Sequence, residues 1–117
     1  MRLDEFRKTK RTGLFSERVI KLALSIPPGK VTTYGRLSRA AGGSAISAQS
    51  ITSILGKAWE RGIKDIPFHR IVYADGCIWI NEKYKKERMK LYQKEGIEID
   101  KNGKIKNFRE ILVALAV

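Results

Sequence analysis

The sequence predicts a mixed α/β (α+β) domain built around a helix-turn-helix. Three observations predict it. Two short amphipathic helical stretches, Tyr34 to Ala41 and Ser47 to Arg61, are joined through Gly42-Gly43, which reads as two helices meeting across a tight connection. An apolar helical stretch, Phe15 to Ile26, precedes them. Two pairs of β-branched runs follow, one around an Asp-Gly signal and one around an Asn-Gly signal, the pattern of short β-hairpins. At 117 residues the chain is one domain.

In chain order, residues 1–14 are a basic, polar lead-in carrying Arg2, Arg7, Lys8, Lys10 and Arg11, set apart from the domain at 15–117. In the first helix Val19, Leu22, Ala23 and Ile26 fall on one face, Ser16 can cap its start, and Pro27-Pro28-Gly29 ends it. Lys30 to Thr33 is an extended lead, with Thr33 or Thr32 placed to cap the helix from Tyr34. Gly42-Gly43 supplies its left-handed stop. In the next helix Ala48, Ile51, Ile54, Leu55 and Ala58 share one arc, while Gln49, Ser50, Ser53 and Lys57 share the opposite one. The smallness of Gln49, Ser50 and Ser53 suits either close approach to another surface or a plain solvated face.

Pro67 fixes its own φ and biases Ile66 toward an extended conformation. His69 and Arg70 therefore stand where a rigid turn enters the strand Ile71 to Tyr73, a common place for functional side chains. The same residues also read as core structure: Phe68 a plug, His69 a buried hydrogen-bonding group, Arg70 an ion-pair partner. Ile71 to Tyr73 and Cys77 to Ile80 flank Ala74-Asp75-Gly76 as the first hairpin. Asn81 caps a helix from Glu82 to Glu95, with Tyr84, Arg88, Leu91 and Tyr92 along one side and Gly96 as its stop. Ile97 to Ile99 and Lys104 to Lys106 form the second hairpin. Ile111 to Val117 reads as a C-terminal helix docked on the core.

Twenty-four lysines and arginines against twelve acids give a net charge of +12, which points to a polyanionic partner, most simply nucleic acid. A single cysteine and a single histidine exclude an internal disulfide and argue against a His/Cys zinc site. No apolar run approaches the length of a membrane span and the N-terminus is polar and charged. The expectation is a cytoplasmic monomer (nucleoid-associated, or nuclear in a eukaryote) with no membrane association, no metal and no cofactor.

Four ordered stretches resemble the DNA-binding domain of the O6-alkylguanine-DNA alkyltransferases: Ile26 to Gly35, with its Gly29-Lys30-Val31 and Thr33-Tyr34-Gly35; Pro67 to Val72; Asp75-Gly76; and Lys94-Glu95-Gly96-Ile97. The resemblance spans Phe15 to Ile99. It implies a winged helix-turn-helix that enters the DNA minor groove and flips an alkylated guanine into a pocket. In that family a cysteine thiolate, held by a histidine, a water and a glutamate, takes the alkyl group. Here His69 and Glu95 match the helpers, and Phe68 stands at the nucleophile's position.

The chain is thus similar to the alkyltransferase-like subfamily, which lacks the cysteine, binds O6-alkylguanine without chemistry and passes it to nucleotide excision repair. The resemblance leaves no catalytic residue, with Phe68, His69 and Glu95 as vestigial positions. It implies DNA contacts from Thr33, Tyr34, Gln49, Ser50 and Ser53. It implies a lesion pocket of Tyr34, Phe68 and Ile71, with the Phe68 carbonyl and the Ile71 amide facing the guanine edge. Arg70 is structural, Tyr34 rotates a phosphate, and Gln49 stands where the family's intercalating arginine stands. Two alternatives stay open: a winged-helix DNA binder that does not flip bases, and an active methyltransferase using Cys77.

Overall fold

The computed structural model describes residues 15–44, 49–79 and 81–115. The basic lead-in at 1–14, positions 45–48 with Ala48, Ile80 and the last two residues lie outside the described residues. Helix α1 covers 15–24. Phe15 is already helical, so Ser16 lies inside the helix and does not cap it. The helix stops two residues short of Ile26 because Pro27 drives the residue before it out of the helical region. Strand β1 is Thr32–Thr33 and α2 is Tyr34–Ala40. The Thr33 hydroxyl accepts the Arg36 N–H at 3.1 Å, as an N-cap should. Gly42 closes the other end at φ +96°, a conformation that L side chains resist.

Helix α3 is Ile51–Glu60, later in starting than the periodicity predicts, because residues 49–50 wind as a tighter 3₁₀ turn. Gln49 and Ser50 therefore stand at the entrance to α3 and not along it. A 3₁₀ turn, Phe68–Arg70, leads into β2, Ile71–Val72. Helix α4 is Lys85–Lys94 and α5 is Phe108–Ile111. Asn81 closes a turn ahead of α4 rather than capping it: its side chain accepts the Lys83 N–H at 2.8 Å and its carbonyl the Tyr84 N–H at 3.0 Å.

The first hairpin is corrected. Its turn forms, with the Tyr73 N–H donating to the Cys77 carbonyl at 3.0 Å. Yet β2 pairs in parallel with β1, Thr32 opposite Ile71 and Thr33 opposite Val72, and Cys77 bridges antiparallel to Lys104. Turn chemistry specifies the reversal, but where the strand's ladder goes is decided by burial. Ile71 and Val72 are both buried and point to opposite sides, so their strand must run between two packed layers. The second hairpin closes as the Asn-Gly signal predicts, with Ile99 opposite Ile105 and the Asp100 carboxylate accepting the Asn102 and Lys104 N–H groups. The C-terminal run is also corrected. It leaves α5 extended, and Leu112 bridges in parallel to Val31, whose backbone donates to the Ile111 carbonyl and accepts from Val113. An open backbone edge at Val31 outcompetes a short isolated helix.

Two apolar clusters meet at the β1–β2 pair. One lies under the helix-turn-helix: Val19, Leu22, Ala23, Leu37, Ile51, Leu55 and Ile71 among others. The second gathers Val31, Val72, Ile78, Tyr92, Ile97, Ile105 and Ile111. Each such aliphatic chain contributes about 1.5–3 kcal/mol when fully buried. Among the described residues no helix is long and apolar enough to cross a membrane.

Candidate functional site

The turn Phe68–Arg70 sends its side chains two ways. The Arg70 N–H donates to the Pro67 carbonyl at 2.9 Å and the Ile71 N–H donates to the Phe68 carbonyl, so the backbone is fixed by its own hydrogen bonds. This corrects one expectation: the Phe68 carbonyl and the Ile71 amide are bonded to each other and do not stand free toward a guanine edge.

On one side His69 and Arg70 meet Glu95, which follows the last turn of α4. Glu95 Oε2 takes the His69 Nε2 at 2.6 Å and the Arg70 Nη2 at 2.8 Å, while Oε1 takes the Arg70 Nε at 3.0 Å and the Gly29 N–H at 2.9 Å. Arg70 Nη1 continues to the Ile26 carbonyl at 2.9 Å. Gly29 can present its N–H here because it sits at φ +84° in the turn after α1. The glutamate side chain is only 7% exposed. Burial pushes the Glu95 carboxyl up, but the hydrogen bonds from Arg70, Gly29 and His69 outweigh it and hold the group at about 2. Burial pulls His69 below its ordinary value, against the raising effect of Glu95. His69 is therefore neutral at pH 7 and donates its Nε2–H to the carboxylate. The Tyr92 hydroxyl donates to the His69 carbonyl, and burial pushes that phenol up to about 12.

On the other side Phe68 faces a cavity of about 490 Å³. Tyr34, Gln49 and Ile71, all expected near a lesion, line it together with Phe68. Tyr34 comes from the first turn of α2, and its ring lies 5.7 Å from that of Tyr73 at 41°. Burial and the neighbouring Tyr73 raise the Tyr34 phenol, which stays protonated. Thr33, Ser50 and Ser53 lie outside the cavity wall. Thr33 is buried with its hydroxyl used as the α2 cap, and Ser53 is exposed on the outer face of α3.

Four further wall residues escape the sequence reading: Thr52, Tyr73, Trp79 and Arg88. Arg88 had a signal, since it precedes the buried Tyr92 by four residues and so shares its helix face. Its guanidinium lies 4.9 Å over the Trp79 ring. Cys77 is not in the cavity wall. Its Sγ lies 3.4 Å from the Asp75 carboxylate, and that hydrogen bond pushes the thiol pKa up, which disfavours the thiolate that nucleophilic attack needs.

Residues 14–97 match the family described as "6-O-methylguanine DNA methyltransferase, DNA binding domain". The chain is 28% identical over 104 residues to a DNA base-flipping protein of Escherichia coli, covering 89% of this chain and 78% of that one. It is 31% identical over 91 residues to a DNA base-flipping protein of Vibrio parahaemolyticus, covering 78% and 88%. Its fold matches S. pombe Atl1 crystallised with damaged DNA containing O6-carboxymethylguanine, at a TM-score of 0.66 and 24% identity, over 97% of this chain and 98% of that one. With its helix-turn-helix, its short sheet and the matched span in register, the chain belongs to the 6-O-methylguanine DNA methyltransferase DNA-binding-domain family.

Proposed function

We propose that this protein recognises alkylated DNA without repairing it. It binds duplex DNA through the minor groove, rotates an O6-alkylguanine into the Phe68 cavity, and holds it for nucleotide excision repair proteins in the cytoplasm or nucleoid. The observation that carries this reading is the aromatic wall: Phe68 stands at the family's thiol position and lines a cavity with Tyr34, Tyr73 and Trp79. A phenyl ring has no proton to lose and no lone pair with which to attack an alkyl carbon. The histidine beside it is already committed to Glu95, whose two oxygens are taken by four N–H donors. What remains is a surface suited to stacking an unpaired base, and stacking against an aromatic is worth about 1–3 kcal/mol.

The other parts serve entry. The +12 charge supplies affinity for phosphates regardless of sequence, with a log–log salt slope of about −0.9 per phosphate neutralised. Tyr34, neutral and at the start of α2, presses on the phosphate beside the flipped nucleotide. Gln49, at the cavity edge, fills the vacated stack. Thr33, Ser50 and Ser53 flank these two on the DNA side, and Arg70 braces the loop. Gln49 also favours a second reading, a winged-helix binder that leaves bases stacked, because an amide lacks the charge and stacking plane of a guanidinium.

The test is a pair of duplexes differing only in one O6-methylguanine, each with 2-aminopurine beside the site. Tighter binding of the damaged duplex by about tenfold, a fluorescence rise on binding and an unchanged intact protein mass are expected. Equal affinities with no fluorescence rise would establish the second reading. A mass gain of one methyl, lost in Cys77→Ser, would establish an active transferase.

A further inference from the structure

The cavity wall carries one charge. Among the described residues that line it, Arg88 is the sole ionised side chain, set among aromatic and aliphatic neighbours. It makes no ion pair with a described carboxylate, whereas Arg70, the other arginine near the turn, is fully engaged by Glu95. Glu95 sits on the same helical segment as Arg88 but has no acceptor to spare. Arg88 is fixed in place nonetheless: its guanidinium rests on the Trp79 ring, and its stem rises from the buried face of α4 one turn before Tyr92. Its positive field extends over the site, favouring ionisation of Tyr34 and Tyr92 and the neutral form of His69. A guanidinium held over an aromatic ring, partly withdrawn from water and with no anion beside it, is an unfilled half of an ion pair.

We propose that Arg88, seated on Trp79, makes the cavity selective for O6-substituents that end in a carboxylate over neutral substituents of the same size. This rests on the reading that the damaged base enters this cavity. A flipped guanine stacked on Phe68 presents its O6 substituent to the remaining wall, where Arg88 offers a planar fork of N–H donors that fits a carboxylate at two points. The aromatic surroundings lower the local dielectric and strengthen that contact beyond its worth in open water. A methyl or other uncharged group meets the same wall through packing alone. The recognised class is thus guanine alkylated by reagents that leave an acidic arm.

The experiment compares three duplexes carrying O6-carboxymethylguanine, its neutral near-isostere O6-carbamoylmethylguanine, and guanine. For the wild type the carboxylate lesion should bind about tenfold tighter than the amide lesion, as a charge-assisted bidentate contact at a half-buried site predicts. Arg88→Met keeps an unbranched stem on Trp79 and should bring that ratio to about one, while Arg88→Lys should keep part of it. A wild-type ratio of one, or a ratio that survives Arg88→Met, overturns the proposal. So does an Arg88→Met variant that weakens all three duplexes alike, since Arg88 would then be a backbone phosphate contact. Failure of the underlying reading looks different: there the wild type binds both lesions no better than guanine.

Discussion

Two faces of one three-residue turn make an instructive pair. On the inner face of Phe68–Arg70 every charge is matched: one carboxylate, one guanidinium and one neutral imidazole share hydrogen bonds that reach the end of α1, the turn itself and the end of α4. On the outer face the wall is aromatic, open, and carries one unmatched cation. The inner face resembles a catalytic relay in composition, but its members are consumed by one another, and it acts as a clamp. The outer face has no reactive group and is shaped to receive something. A histidine and a glutamate within hydrogen-bond distance do not make an active site unless there is an acidic proton for them to move.

The sharpest break of this contrast is Glu95→Gln. It leaves Arg70 and His69 buried beside a neutral amide that cannot satisfy four donors, and it should lower the unfolding free energy by about 3 kcal/mol in urea titration. Because the clamp spans three elements, the loss should appear as a shifted midpoint with an unchanged slope. A shift of a few tenths of a kcal/mol would mean that the inner face is dispensable.

Acid should undo the same face in two stages. The folded His69 lies below its ordinary 6.5, so its contribution to stability is complete above about pH 6.5 and falls as protons bind the unfolded chain first. The folded Glu95 lies at about 2 against an ordinary 4.5, so its contribution is complete above about pH 4.5 and is lost as pH falls through about 2. Thermal midpoints measured from pH 8 to pH 2 should decline in both windows for the wild type. In Glu95→Gln the lower window should flatten.

The outer face should answer to Gln49→Ala with the smallest effect, and on a different axis. Lesion preference should drop by about fivefold, the scale of one lost packing and hydrogen-bonding contact, while stability and undamaged-duplex affinity stay within error. An equal loss on damaged and undamaged duplexes would make Gln49 a general DNA contact.

Much of this arrangement is legible in the sequence, for physical reasons. Pro27-Pro28-Gly29, the Thr33 cap and Gly42 are local devices that act whatever the rest of the chain does, and each ends or starts its element within a residue or two of expectation. Tyr34, Phe68 and Ile71 are brought to one cavity as the resemblance implies. What stays hidden is non-local. Nothing near Ile71 announces that its partner is Thr32, and a C-terminal apolar run does not reveal that Val31 offers an edge. Trp79 and Arg88 come to the wall from separate elements, so no short motif holds both. The side of α4 read as apolar from Tyr84, Leu91 and Tyr92 is mostly open to solvent, with Tyr84 43% and Leu91 39% exposed and Tyr92 alone of the three buried.

The parallel pairing of β1 with β2 has a kinetic consequence. Thr32 and Ile71 stand thirty-nine positions apart (71 minus 32), and two residue pairs are all that the ladder contains. A loop of that length must close before the ladder gains anything, an entropic barrier that local helix formation does not lower. Tyr34 follows β1 directly and Phe68 precedes β2 directly, so the cavity is assembled only when this closure is complete. A partly folded chain with its helices formed has no receptor for a base, and recognition and the final step of folding are one event.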